Sequence, residues 1–208
     1  KNTGATLADC KVAGATENGI FEDGDMRNSK YSIKRNWYYN NPLVPASLGK
    51  KCEITDKTWS VGQLFPALTK FFFGKEDNLQ LTGSYKDRMK CRLGETYLHL
   101  AEAYLGMGDA QKAADALNVI RKRAKVRNLE ASEVTVDELL NERIREMVGE
   151  ESRRFTLIRM GADVFVERVK KYNPSIADKY NADFTLWPIP QEILDANTGS
   201  EFPQNPGY

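Results

Sequence analysis

The sequence predicts a mainly α fold of antiparallel helix pairs, accompanied by irregular loops and a few short strands. Three observations predict it. From Leu93 to Ala124 apolar residues recur at spacings of three and four, interrupted by Gly106 and Gly108. A further stretch of the same period runs from Val136 to Val148. Residues 1–60, by contrast, are rich in Gly, Asn, Asp, Lys and aromatics and hold no sustained helical period.

Composition bounds the class. With 208 residues, 41% hydrophobic and 28% charged, the chain can bury one sizeable core or two small ones and is not disordered in character. Lys and Arg number 30 against 29 acids, so no net field draws it to nucleic acid or an anionic membrane. No run approaches the roughly 20 apolar residues of a membrane span. Cys10, Cys52 and Cys91 are too few and too scattered for a disulfide framework or a zinc site. Thr6 to Cys10 has the faint form of a lipidation box, but no apolar stretch or basic start precedes it. The chain does not begin with Met and is expected to be a mature form or a fragment.

The elements follow in order. Around Tyr31–Tyr39 apolar and polar residues partly alternate, which suits a strand; Thr69–Phe73 is an apolar run that suits another. A helix of about 88–106 carries Leu93, Tyr97, Leu100, Ala101, Tyr104 and Leu105 on its apolar face. Asp109 caps a second, of about 109–126, with Ala113, Ala114, Leu117, Ile120 and Ala124 as its stripe. Tyr97, Ala101, Tyr104, Gly108, Ala113, Leu117 and Ile120 stand where a tetratricopeptide unit places its bulky and small residues. Only one such unit is present, while a solenoid needs about three. Thr135 or Asp137 opens a third helix, short pieces follow at 152–160 and 162–171, and one turn at 191–195 interrupts an otherwise extended end. The basic run Arg121–Arg127 reads as a solvated helix end complementing the helix dipole.

Candidate chemistry is sparse. Glu142, Glu146 and Glu150 share one helix face, with Arg143 and Arg153 in reach. Glycosidic hydrolysis needs two carboxylates across a cleft, so this stripe predicts an ion-pair lattice fastening helix to helix. His99, the only histidine, lies between Leu98 and Leu100, both expected in the core, and reads as a surface or packing residue. No glycine-rich phosphate loop occurs, and no cofactor, metal or catalytic residue is expected. The loop half differs. Trp37 and Tyr39, with Asn36, Asn40 and Arg35 beside them, mix flat apolar faces with hydroxyl-bonding groups, as a sugar site requires. The competing reading buries at least two of Trp37, Tyr38 and Tyr39 as core; Trp59 and Trp187 are assigned to packing.

The closing segment, Leu186–Tyr208, is the most distinctive. Pro188-Ile-Pro190 fixes two φ angles and removes two donors, and Asn205-Pro206-Gly207 is a turn signal. Such a tail is expected to be docked, with Trp187, Ile189, Phe202 and Tyr208 buried.

Four motifs, in order, carry a resemblance: Arg92-Leu-Gly-Glu-Thr-Tyr-Leu-His-Leu-Ala-Glu-Ala103; Gly108-Asp109 with Ala113 and Leu117–Ala124; the pattern Glu142, Arg143, Glu146, Glu150, Arg153, Leu157, Arg159; and Pro188-Ile-Pro190 with Gln204-Asn-Pro-Gly-Tyr208. Together they resemble the C-terminal part of the SusD/RagB family of nutrient-binding outer-membrane lipoproteins. Asp25-Met-Arg27 is similar to the Asp-x-Arg preceding that part. Glu151 stands where the family has Gly and Thr156 where it has Asp, which is expected to remove a buried carboxylate–arginine pair.

The resemblance implies residues 85–208 as the helical core and 1–84 as a loop-rich, aromatic-rich cap. It implies a protein facing outward on the outer membrane, lipid-anchored in its full length, that binds glycans or similar nutrients without catalysis. The implied partner is a TonB-dependent, SusC-like transporter. It further implies a missing N-terminal portion carrying most tetratricopeptide units, the lipidated cysteine and part of the ligand surface. The alternative is a tetratricopeptide-like protein-interaction module without a small ligand; a hydrolase ranks third.

Overall fold

The computed structural model describes residues 20–53, 66–71, 87 and 89–208. They fall into two units, one of residues up to 150 and one of residues 151–208.

In the first unit, strand β1 (Ile33–Lys34) pairs antiparallel with β2 (Ala67–Leu68), Ile33 opposite Leu68. The expected strand at 69–73 is displaced. Thr69–Phe71 forms one 3-10 turn, and Phe72 and Phe73 lie outside the described residues. The reason is local: the Thr69 amide donates to Ser32 O at 3.0 Å and its hydroxyl to Tyr31 O, so the ladder ends in a turn.

Helix α1 (Leu93–Gly106) and helix α2 (Ala110–Ala124) are joined by three residues, which makes them antiparallel neighbours. Gly108 takes a left-handed φ of 79°, open to glycine at no steric cost, and Asp109 then caps α2 by accepting from the Lys112 amide at 3.1 Å. Ala113, Ala114, Leu117, Ile120 and Ala124 are buried, as the period predicted. Asn118 holds the departing chain, its amide bonding both N and O of Leu129 at 2.8 and 3.0 Å. Thr135 caps helix α3 (Val136–Met147), whose Leu139, Leu140, Ile144 and Met147 are buried.

Two expectations fail here. On α1 the buried residues are Leu98 and Ala101, while Leu93 and Leu100 are exposed. The contacts α1 makes with α2 and α3 draw in its Leu98–Ala101 side; Leu93, Leu100 and Met107, seven apart, form a row on the open side. Arg121 is not solvated: it is fully buried, because it shares the inner face of α2 with Leu117, Ile120 and Ala124.

The second unit comprises helices α4 (Arg153–Arg159), α5 (Ala162–Tyr172) and α6 (Gln191–Ala196). Two 3-10 segments, Pro174–Lys179 and Ala182–Thr185, occupy what was expected to be extended chain. Thr156 contributes no carboxylate, and the carboxylate–arginine pair present here is a different one: Glu151 meets Arg153 at 3.2 Å and accepts from Thr156 Oγ1 at 3.3 Å. Tyr180 lies between Phe165 and Phe184, at 5.5 and 4.8 Å between centroids, and Phe184 meets the edge of Tyr208 at 6.3 Å.

Polar clasps between its own two ends, rather than buried rings, close the tail on itself. Trp187 is 65% exposed, with the Arg154 guanidinium 4.4 Å over its ring; Phe202 and Tyr208 are exposed too, and Ile189 is half-buried. The Gln204 amide accepts from Ile189 N at 2.7 Å and donates to Ile189 O at 2.9 Å. Asn205 Nδ2 donates to Trp187 O at 2.7 Å, and the Tyr208 hydroxyl to Leu186 O at 3.2 Å. Prolines break regular pairing here, so side chains partner the remaining backbone groups. Trp59 and Cys10 lie outside the described residues; Cys52 is buried and Cys91 exposed, both as free thiols.

Candidate functional site

The loop residues singled out by their chemistry form a small antiparallel turn. Tyr38 bridges Lys51. Trp37 O accepts from Cys52 N at 2.8 Å, Tyr39 N donates to Lys50 O at 3.0 Å, and Tyr39 O accepts from Gly49 N at 2.8 Å. The rings of Tyr38 and Tyr39 are exposed and Trp37 is half-buried, so core packing accounts for neither tyrosine. The Lys34 ammonium sits 4.0 Å from the Trp37 ring centroid, on a face a ligand would otherwise use. Arg35 is held by Asn28, donating to its side-chain oxygen at 2.5 Å and its backbone oxygen at 3.2 Å. Asn36 and Asn40 are exposed.

The glutamate stripe of α3 is the electrostatic centre of the first unit. Glu142 is fully buried and accepts from Arg27 and Arg145, each at 2.7 Å, and from Arg121 at 2.9 Å. Glu146 accepts from Arg92, Arg123 and, at 3.3 Å, Arg27. Glu150 accepts from Lys70 at 2.5 Å and from Arg92. Arg27 is oriented in turn by Asp25, which takes its Nη2 at 2.7 Å. The expected lattice is therefore present with other partners: Arg143 meets Glu102, and Arg153 meets Glu151. Four-residue spacing signalled the acids, of which Glu142 and Glu146 lie on α3 and Glu150 in the turn that follows its end at Met147. The sequence marks Lys70 and Tyr31 only as parts of strand-like runs, and the β1–β2 pairing brings them near the acids.

Burial by itself would push these carboxyls up. The cations outweigh it, so all three lie below the ordinary carboxylate range: the charges of Arg27 and Arg145 at Glu142, the Arg92 hydrogen bond and Arg123 charge at Glu146, and hydrogen bonds from Arg92 and Lys70 at Glu150. Lys70 is also lowered, although it faces Glu150. Burial is the larger influence there, and the charge of Arg92 adds to it.

Beside the stripe opens a cavity of about 520 Å³, walled by Arg27, Tyr31, Lys70, Arg92, Arg123 and Arg145 together with Glu146 and Glu150. Among the described residues no group of His, Cys, Asp and Glu is placed to hold a metal ion, and no helix is long and apolar enough to cross a membrane.

Neither the curated proteins nor the solved structures hold a significant match to the chain. A family model, that of the SusD family, matches residues 10–208. That match takes in the helix pair, the glutamate stripe and the clasped tail, and the chain belongs to the SusD family.

Proposed function

We propose that the chain binds glycans or similar nutrients at the outer-membrane surface, without catalysis, for delivery to a TonB-dependent, SusC-like transporter. The observation that carries this reading is the family match over residues 10–208, since members of the family bind nutrients at the cell surface. Support comes from Trp37, Tyr38 and Tyr39, which the helical core does not consume. Trp37 and Tyr39 serve as stacking platforms, with Arg35, Asn36 and Asn40 bonding hydroxyls; Lys34 must swing from the Trp37 ring for one face to open. A glycan screen by calorimetry tests it. Binding should lie between about millimolar and micromolar, and Trp37→Ala should remove it while circular dichroism stays unchanged. Binding unaffected by both Trp37→Ala and Tyr39→Ala would overturn the site.

A second reading, a tetratricopeptide-like protein-interaction module, is favoured by the exposed row of Leu93, Leu100 and Met107 on α1. A screen in which no glycan binds would favour it over nutrient capture.

A further inference from the structure

We propose that the cavity beside the glutamate stripe is a second ligand site, and that it takes the acidic group of an anionic saccharide, a carboxylate or a sulfate. The inference rests on the saccharide-binding reading and adds a substrate class to it. Three features of the wall carry it.

The first is the placement of charge. Counted with the groups behind the wall, acids and bases nearly balance, so total charge is not the argument. What matters is which charges reach the opening. The Glu146 side chain is 1% exposed and that of Glu150 13%, whereas Arg123 is 63% exposed, Lys70 32% and Arg92 20%. The negative ends point into the protein and the positive ends toward the solvent, so the opening presents a positive field to an incoming group.

The second is hydrogen-bond capacity. Both oxygens of Glu146 and both of Glu150 already accept from cations. An arginine has five N–H donors, and among the described residues Arg123 spends one Nη2 on Glu146. The opening is therefore rich in donors and poor in acceptors. A neutral hydroxyl can use such donors, but a carboxylate or sulfate gains charge-assisted bonds from them.

The third is an aromatic platform on the same wall. Tyr31 is 75% exposed, with the Lys30 ammonium 5.1 Å from its ring centroid, and its backbone is pinned: Thr69 Oγ1 donates to Tyr31 O, and Thr69 N to Ser32 O at 3.0 Å. A flat apolar face beside a cluster of donors matches a sugar ring that carries an acidic substituent. The cavity, at about 520 Å³, falls within the range of small-ligand sites.

The test is calorimetry on the full chain with three probes: an oligogalacturonate for carboxylate, a carrageenan oligosaccharide for sulfate, and maltoheptaose as the neutral control. At least one acidic probe should bind about tenfold tighter than maltoheptaose at low salt and lose that advantage as salt rises; which one does so identifies the acidic group. Arg123→Gln should weaken the acidic probe about tenfold, since it removes the most exposed charge. Tyr31→Ala should weaken it as well, with circular dichroism confirming that both variants fold. Lys112→Gln removes an exposed cation outside the cavity and should leave binding unchanged. Acidic probes bound no tighter than neutral ones would overturn the inference and leave the saccharide reading standing. So would equal losses in Arg123→Gln and Lys112→Gln, which would mean general charge attraction. No binding of any saccharide would remove both.

Discussion

Glu142→Ala is the sharpest perturbation of this fold. The residue is wholly buried and is shared by three guanidiniums, Arg27 and Arg145 at 2.7 Å and Arg121 at 2.9 Å. Deleting one partner of a single buried pair typically costs about 3–5 kcal/mol, because a desolvated charge is left without its counter-ion. Here one deletion takes a shared counter-charge from three guanidiniums, which keep Asp25, Glu22 and Glu138 as further partners, so the expected loss is about 4 kcal/mol, the middle of that range. A domain is stable by roughly 5–15 kcal/mol, so the variant should lose a large fraction of its stability and unfold at a much lower urea concentration. Glu142→Gln keeps the volume and one acceptor oxygen but removes the charge, and should lose somewhat less, about 3 kcal/mol. Urea denaturation followed by far-ultraviolet circular dichroism measures both. A loss below about 1 kcal/mol in Glu142→Ala would refute the reasoning: the three guanidiniums would then be solvated in solution and the lattice would not be a core.

Further outcomes are expected. Because Glu142, Glu146 and Glu150 have folded-state pKa values below the unfolded range near 4.3, the stability they contribute is fully present above that range and is lost as pH falls through the lowered values. Denaturation midpoints should therefore be flat above roughly pH 5 and drop below it; a midpoint indifferent to acid would contradict the assignment. Lys125 closes α2 at a left-handed φ of 61°, where its amide and that of Val126 return to Lys122 O and Arg121 O, so Lys125→Gly should stabilise by about 0.5–1 kcal/mol. Destabilisation would mean that the lysine side chain does more than occupy the turn. Gln204→Ala removes both bonds to Ile189, which should cost about 1–2 kcal/mol locally and accelerate hydrogen exchange of the Ile189 amide. Unchanged exchange there would show that the tail is held by its rings instead.

Features that depend on near neighbours along the chain could be read from the residues alone. The turn at Gly108, the caps at Asp109 and Thr135, the inner stripe of α2 and the shared face of Glu142 and Glu146 all follow from helical geometry over four residues or from one side chain reaching its own backbone. Two of the four motifs that point to the family, Gly108–Ala124 and the one that begins at Glu142, start on these same elements. Only the tertiary structure decided which face is covered and who meets whom. Leu93 and Leu100 have the period of core residues yet face outward, and Arg121 has the look of a solvated helix end yet is buried, since burial belongs to the packing of α1, α2 and α3 and not to any one of them. Arg27 reaches Glu142 across 115 positions, and a two-residue strand pairing brings Lys70 to Glu150. The rings of the tail were expected to carry its burial, and side-chain amides hold its two ends together instead, because a segment interrupted by prolines still has backbone groups to satisfy. The cavity beside the stripe is tertiary for the same reason: its wall is drawn from segments that share no period, and charges assemble there only once the chain has closed on itself.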